Sequence, residues 1–162
     1  MCIRDSHKGT DLCIIAAGKT LEAATQARQL LESSGISVTL WDPRSVKPLD
    51  DAMLRDAAGH PWVLTLEDGL REGGMGSAVA DRLSQMTNGW PVAPRVRVVG
   101  TPLAYIPHGK PDAILAELGL GAHGIVETAR ELVLSEPRHT VNNLSTRNHV
   151  NNESGQKAGA FS

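Results

Sequence analysis

The chain has 162 residues, with 16 Lys and Arg against 18 Asp and Glu and a formal charge of −2. That length suits one domain, and the charge balance argues against nucleic-acid or anionic-membrane partners, which require a basic excess or stripe. Hydrophobic residues make up 41% and aromatic residues only 3%, so the core must be mostly Leu, Ala, Val and Ile, and the stacked aromatics of a single-strand platform are missing.

Residues 1–9 show no periodicity and read as a leader, with Met1 to Ser6 resembling a non-native scar. Neither this start nor any later stretch has a signal-peptide h-region or the ~18 apolar residues of a membrane span. By elimination the expectation is a soluble, cytoplasmic protein. Leu12 to Ala17 is an unbroken apolar run closed by Gly18, the pattern of a strand covered on both faces. Within it Cys13 reads as a small buried hydrophobe. Cys2 and Cys13 together make neither a disulfide framework nor a zinc site. Thr20 is placed to cap a helix with Leu21, Ala24, Ala27 and Leu31 on one side, ended at Gly35.

Ile36 to Trp41 is the second strand. The two prolines of Asp42 to Leu49 impose a loop, and Asp50 is positioned as the N-cap of a short helix stopped by Gly59. Trp62 to Leu66 is the third strand, followed by a polar, glycine-rich turn over Glu67 to Gly74. The next helix places Ala78, Val79, Leu83 and Met86 on one face. Val96 to Val99 is the fourth strand. Pro111 starts a short helix to Leu118, and a last helix runs from about Ala122 to Leu134. Residues 135–162 are rich in Asn and Ser and poor in large apolar side chains, which predicts disorder. Strands alternating with helices imply right-handed crossovers and a three-layer α/β/α domain over residues 10–134, with a mainly parallel sheet of four or five strands.

Few residues carry a chemical signature. Gly73, Gly74, Gly76 and Ser77 lie between a strand and a helix, where exposed amides suit an anion. With His108 nearby they form the one candidate anion or regulatory pocket. The alternative is that the glycines permit a tight turn and close helix–sheet packing. The spacing is not that of a dinucleotide fingerprint, and no Gly-x-x-x-x-Gly-Lys-Ser/Thr occurs. Glu67 and Asp68 follow a strand's carboxyl end, where open α/β sheets place ligands, but adjacent residues point apart, and a cap or turn role suits Asp68 better. The six histidines never adopt a metal-ligand spacing. Asn142-Asn143 and Asn151-Asn152 fall in the tail and lack an upstream Gly-Asp-Gly. The residues themselves therefore reveal no active site.

Three segments carry a resemblance. Trp41 to Asp50 is similar to the D-x-R-x-x-K-P-L-D segment of the thiamine-dependent transketolase C-terminal domain. Thr65 to Gly69 with Gly73 to Val79 resembles its strand–turn–helix. Both are shared with the β subunits of 2-oxo acid dehydrogenases, which form an alternative. Gly100 to Gly109 and Leu115 to Leu120 resemble the end of the 1-deoxy-D-xylulose-5-phosphate synthases. The match runs from about Asp11 to Val133; Gly121 stands where an Asp is usual, and an antiparallel strand expected before Thr10 is missing. The resemblance implies an enzyme that decarboxylates pyruvate on thiamine diphosphate with Mg²⁺ and joins the fragment to glyceraldehyde 3-phosphate. It also implies that the cofactor and catalytic residues lie in preceding N-terminal and central domains of a homodimer. On that basis this chain binds no cofactor or metal, supplies no catalytic residue and is inactive alone.

Overall fold

The computed structural model describes residues 3–4 and 8–135. In chain order it contains β1 (Ile3–Arg4), β2 (Leu12–Ala16), α1 (Thr20–Ser33), β3 (Val38–Asp42), α2 (Asp51–Ala58), β4 (Trp62–Leu70), α3 (Met75–Met86), β5 (Arg95–Thr101), α4 (Pro111–Glu117) and α5 (Ala122–Leu134). The sheet order is β1-β3-β2-β4-β5. The four strands β2 to β5 run parallel, and β1 pairs antiparallel with β3, Ile3 opposite Asp42.

Parallel strands under helices on both faces should be apolar throughout, and every residue of β2 is fully buried. Alternation along the strands splits the interior into two layers. Leu12, Ile14, Leu64 and Leu66 face α1 and α5, where Ala24, Ala27, Leu31, Ile125 and Ala129 close the packing. Cys13, Ile15 and Val63 face α2 and α3, against Met53, Leu54, Val79 and Leu83. Asp50 caps α2 as expected, its Oδ1 accepting from the amides of Ala52 and Met53 at 2.7 and 3.1 Å.

Three expectations need correction. The antiparallel strand thought to be missing is present as β1. Gly9, assigned to the leader, is buried and packed so tightly that a Cβ would strike the backbone of Val38. Its amide donates to Thr39 Oγ1 at 3.0 Å, and the His60 ring nitrogen Nε2 lies 3.0 Å from its carbonyl oxygen. A two-residue strand and a glycine have no periodicity to read, so these contacts left no pattern in the sequence. Second, Thr20 is not the cap of α1. Lys19 holds that position, and the Thr20 hydroxyl donates to the carbonyls of Ala17 and Leu66. Third, β4 continues through Glu67 to Leu70, shortening the glycine turn to residues 71–74. The predicted tail beyond Ser135, Cys2 and the Asn pairs lie outside the described residues.

Candidate functional site

In an open α/β sheet, ligands are expected beyond the carboxyl ends of the strands, at the point where strand order reverses. Here that point lies between β2 and β4, and the residues just past it are Gly18, Lys19, Glu67 and Asp68. The two adjacent carboxylates have opposite fates. Asp68 is exposed beside Gly18, its Oδ1 3.4 Å from where a Cβ of that glycine would stand. Glu67 turns inward and is 6% exposed. Its Oε2 accepts from the amide of Met75 at 2.9 Å and its Oε1 from that of Gly76 at 2.8 Å.

Glu67 is thus the side-chain cap of α3. The N-cap residue, Gly74, has no side chain to offer, so the first two helical amides would otherwise be unsatisfied. A carboxylate at a helix N-terminus gains from both the hydrogen bonds and the helix dipole. The close approach demands glycine at two positions. A Cβ on Gly74 would collide with the Leu70 carbonyl and both Glu67 oxygens. One on Gly76 would strike the Thr65 hydroxyl and come within 2.6 Å of Val98 Cγ1.

At the anion pocket expected at Gly73, Gly74, Gly76, Ser77 and His108, the helix end is taken up by the Glu67 side chain. The amides of Met75 and Gly76 already hold an anion, the chain's own, and its negative charge would repel a second. The Gly73 amide donates to Ser77 Oγ at 3.2 Å, and that hydroxyl donates to the Arg71 carbonyl at 2.7 Å. His108 is exposed in the loop after β5, and among the described residues it has no hydrogen bond to the turn. Close helix–sheet packing, the other reading of these glycines, is what the contacts display. The missed role of Glu67 had a signal: a helix opening on Gly-Gly-Met-Gly offers no capping side chain and needs an acceptor from elsewhere.

The donor set for a cofactor is also poor. Among the described residues no three His, Cys, Asp or Glu side chains come together to hold a metal ion. The amides of Met75 and Gly76 are taken by Glu67, whose charge opposes that of a diphosphate. Cys13 is fully buried. Burial, helped by the charge of Asp56, pushes its thiol well above the ordinary range, leaving it protonated and a poor nucleophile. No helix among the described residues is long and apolar enough to cross a membrane.

Comparison with known proteins agrees with the sheet and its signature turns. Residues 3–125 match the family of the transketolase C-terminal domain. The chain is 40% identical over 130 residues to the 1-deoxy-D-xylulose-5-phosphate synthase of Magnetococcus marinus, covering 80% of this chain and 21% of that protein. It is 38% identical over 123 residues to the synthase of Thermobifida fusca, covering 76% and 19%. It is also 40% identical over 126 residues to one of the apulose-4-phosphate transketolase subunits of Phocaeicola vulgatus, covering 77% and 38%. A solved split-gene transketolase, described as an inactive β4 tetramer, superposes with a TM-score of 0.69 at 33% identity, over 78% of this chain and 40% of that one. The chain therefore spans about a fifth of the length of the synthases it matches. By the family match and the parallel sheet with its antiparallel edge strand, this chain belongs to the transketolase C-terminal domain family.

Proposed function

We propose that the chain is the C-terminal domain of a 1-deoxy-D-xylulose-5-phosphate synthase, which condenses pyruvate with glyceraldehyde 3-phosphate on thiamine diphosphate and Mg²⁺ to supply isoprenoid and thiamine precursors. One observation carries this reading: synthases of that name match at 37–40% identity across about four-fifths of the chain. The residues from β1 to α5 form the domain, and its role is structural and interface-forming. A glycine turn filled by Glu67 supports a division in which cofactor and chemistry belong to the N-terminal and central domains of the same enzyme. That enzyme acts as a cytoplasmic homodimer, and this segment alone does not turn over substrate.

Calorimetric titration of the chain with thiamine diphosphate and Mg²⁺ tests the division of labour. No heat of binding is expected, and micromolar affinity would overturn it. A second reading, one half of a two-chain transketolase, is favoured by the equal identity to the apulose-4-phosphate enzyme. Grafting residues 3–134 onto each relative in place of its own domain separates the two. The synthase graft should form product from pyruvate and glyceraldehyde 3-phosphate. A folded but inactive synthase graft, beside an active transketolase graft, would transfer the assignment to the transketolase. The 2-oxo acid dehydrogenase β subunit shares the fold but has no observation of its own in its favour.

A further inference from the structure

Both ring nitrogens of His60 face carbonyl oxygens. Nδ1 lies 2.8 Å from the carbonyl oxygen of Asp56 at the C-terminal end of α2, and Nε2 lies 3.0 Å from that of Gly9. A carbonyl oxygen only accepts, so each contact is a hydrogen bond only where the nitrogen carries a proton. Thr39 offers no substitute. Its hydroxyl, 3.2 Å from Nε2, has a single proton, which goes to the Gly9 carbonyl at 3.0 Å, while its oxygen accepts from the Gly9 amide. A neutral ring therefore sets one nitrogen lone pair against a carbonyl oxygen, whichever tautomer it takes. The imidazolium makes both bonds.

Two further features favour the charged ring. The last carbonyls of a helix form the negative end of its dipole, which stabilises a cation there. Asp56 adds a carboxylate one helical turn before His60, where it also accepts from Trp41 Nε1 at 2.7 Å. Burial opposes the charge, since His60 is only 8% exposed, and two charge-assisted hydrogen bonds offset that cost. The adjoining elements carry few other charged or titratable groups. Beside Gly9, Lys8 is exposed, and Asp11 accepts from the amide and hydroxyl of Ser37. Cys13 lies on β2, Asp42 is three residues along β3 from Thr39, and Arg95 on β5 is turned onto the Trp62 ring.

We propose that His60 is a proton-operated latch on the segment that carries the edge strand β1. Charged, it ties Gly9 to β3 and α2; neutral, it lets that segment lift away. Gly9 seats directly on the backbone of Val38, so a small displacement breaks its bonds to Thr39 and His60 together. The sign of the effect follows from which state keeps the proton. The closed latch holds the second ring proton more firmly than the open one does. Its contribution is therefore complete below about pH 6.5, where a free imidazole is charged, and is lost as pH climbs through the ring's own titration. One linked proton changes the opening constant by up to about tenfold per pH unit.

The latch does not depend on the enzymatic reading, and the 162-residue chain itself is the sample that tests it. The Gly9 amide loses its acceptor whenever the latch opens, so its exchange protection, relative to an unstructured peptide, measures the opening. Between pH 6 and 8 that protection should fall about tenfold or more. The Ala17 amide, bonded to the Leu66 carbonyl at the far end of β2, should keep its own. The fall should track loss of the second His60 ring proton, read from the ring nitrogen shifts in the same samples. His60→Gln, whose side chain does not titrate, should make Gly9 protection independent of pH. If that variant does not fold, the ring shifts and Gly9 protection of the unmodified chain decide the matter. A flat Gly9 profile, a fall that does not follow the ring, or a neutral ring beside a fully protected Gly9 amide overturns the proposal. So does the same fall in a folded His60→Gln protein.

Discussion

Replacing Glu67 by Ala removes the only side-chain acceptor among the described residues for the first two amides of α3. Hydrogen bonds to a charged group contribute about 1.5–3 kcal/mol each, and the bonds here are 2.9 and 2.8 Å long around a carboxylate only 6% exposed. Water can reach part of the site once the side chain is gone, since Gly74 is only half-buried. The expected loss is therefore near the bottom of the two-bond range, about 3 kcal/mol, or roughly 12 °C in Tm for a domain of this size. Glu67→Gln keeps one acceptor and should cost about 2 kcal/mol, because its amide group then meets a donor. Urea unfolding followed by the fluorescence of buried Trp41 and Trp62 measures both. A loss below about 1 kcal/mol for Glu67→Ala, with unchanged denaturant slope, would refute the reasoning, since the bonds would then contribute no more than an exposed cap.

Two further outcomes follow from the same packing. Gly76→Ala should destabilise by about 1–3 kcal/mol despite Ala's better helix propensity, because the new Cβ meets the buried Thr65 hydroxyl and Val98; a stabilised variant in urea unfolding would contradict the contact. In a Cys2→Ser background, Cys13 should resist a thiol reagent until the protein unfolds. Its folded-state pKa is raised, so the protonated thiol favours the native state below the ordinary value of 9.0, and this contribution is lost as pH climbs above it. Rapid labelling of native protein at neutral pH would show that the thiol is accessible.

Local pattern located nearly every element. The apolar run Leu12 to Ala17, the Asp50 cap, Gly35 and the last helix all depend on spacing within one turn or one strand, which neighbouring residues decide. Where sequence and structure part, the partner lies beyond the same strand or helix turn. Glu67 is legible only as a polar residue after a strand, because its two hydrogen bonds reach Met75 and Gly76 through the fold of the turn. The glycines stand out in the sequence, and both of their uses, anion cradle and close packing, are compatible with it. Choosing between them requires knowing that an anion already fills the helix end. Ile3–Arg4 and Gly9 are unreadable because their order comes from β3 and His60.

Composition and the alternation of apolar runs with helical periods, by themselves, pointed to an α/β fold with an aliphatic interior, because burial on both faces of a parallel sheet leaves its mark on the strands. Motifs pointed to a domain type whose matched relatives are longer than this chain. Only the tertiary structure decided that the glycine turn is closed by the chain's own carboxylate and that β5 lies at the end of the sheet among the described residues. Both depend on which strand lies beside which, a relation between distant residues that no local period records.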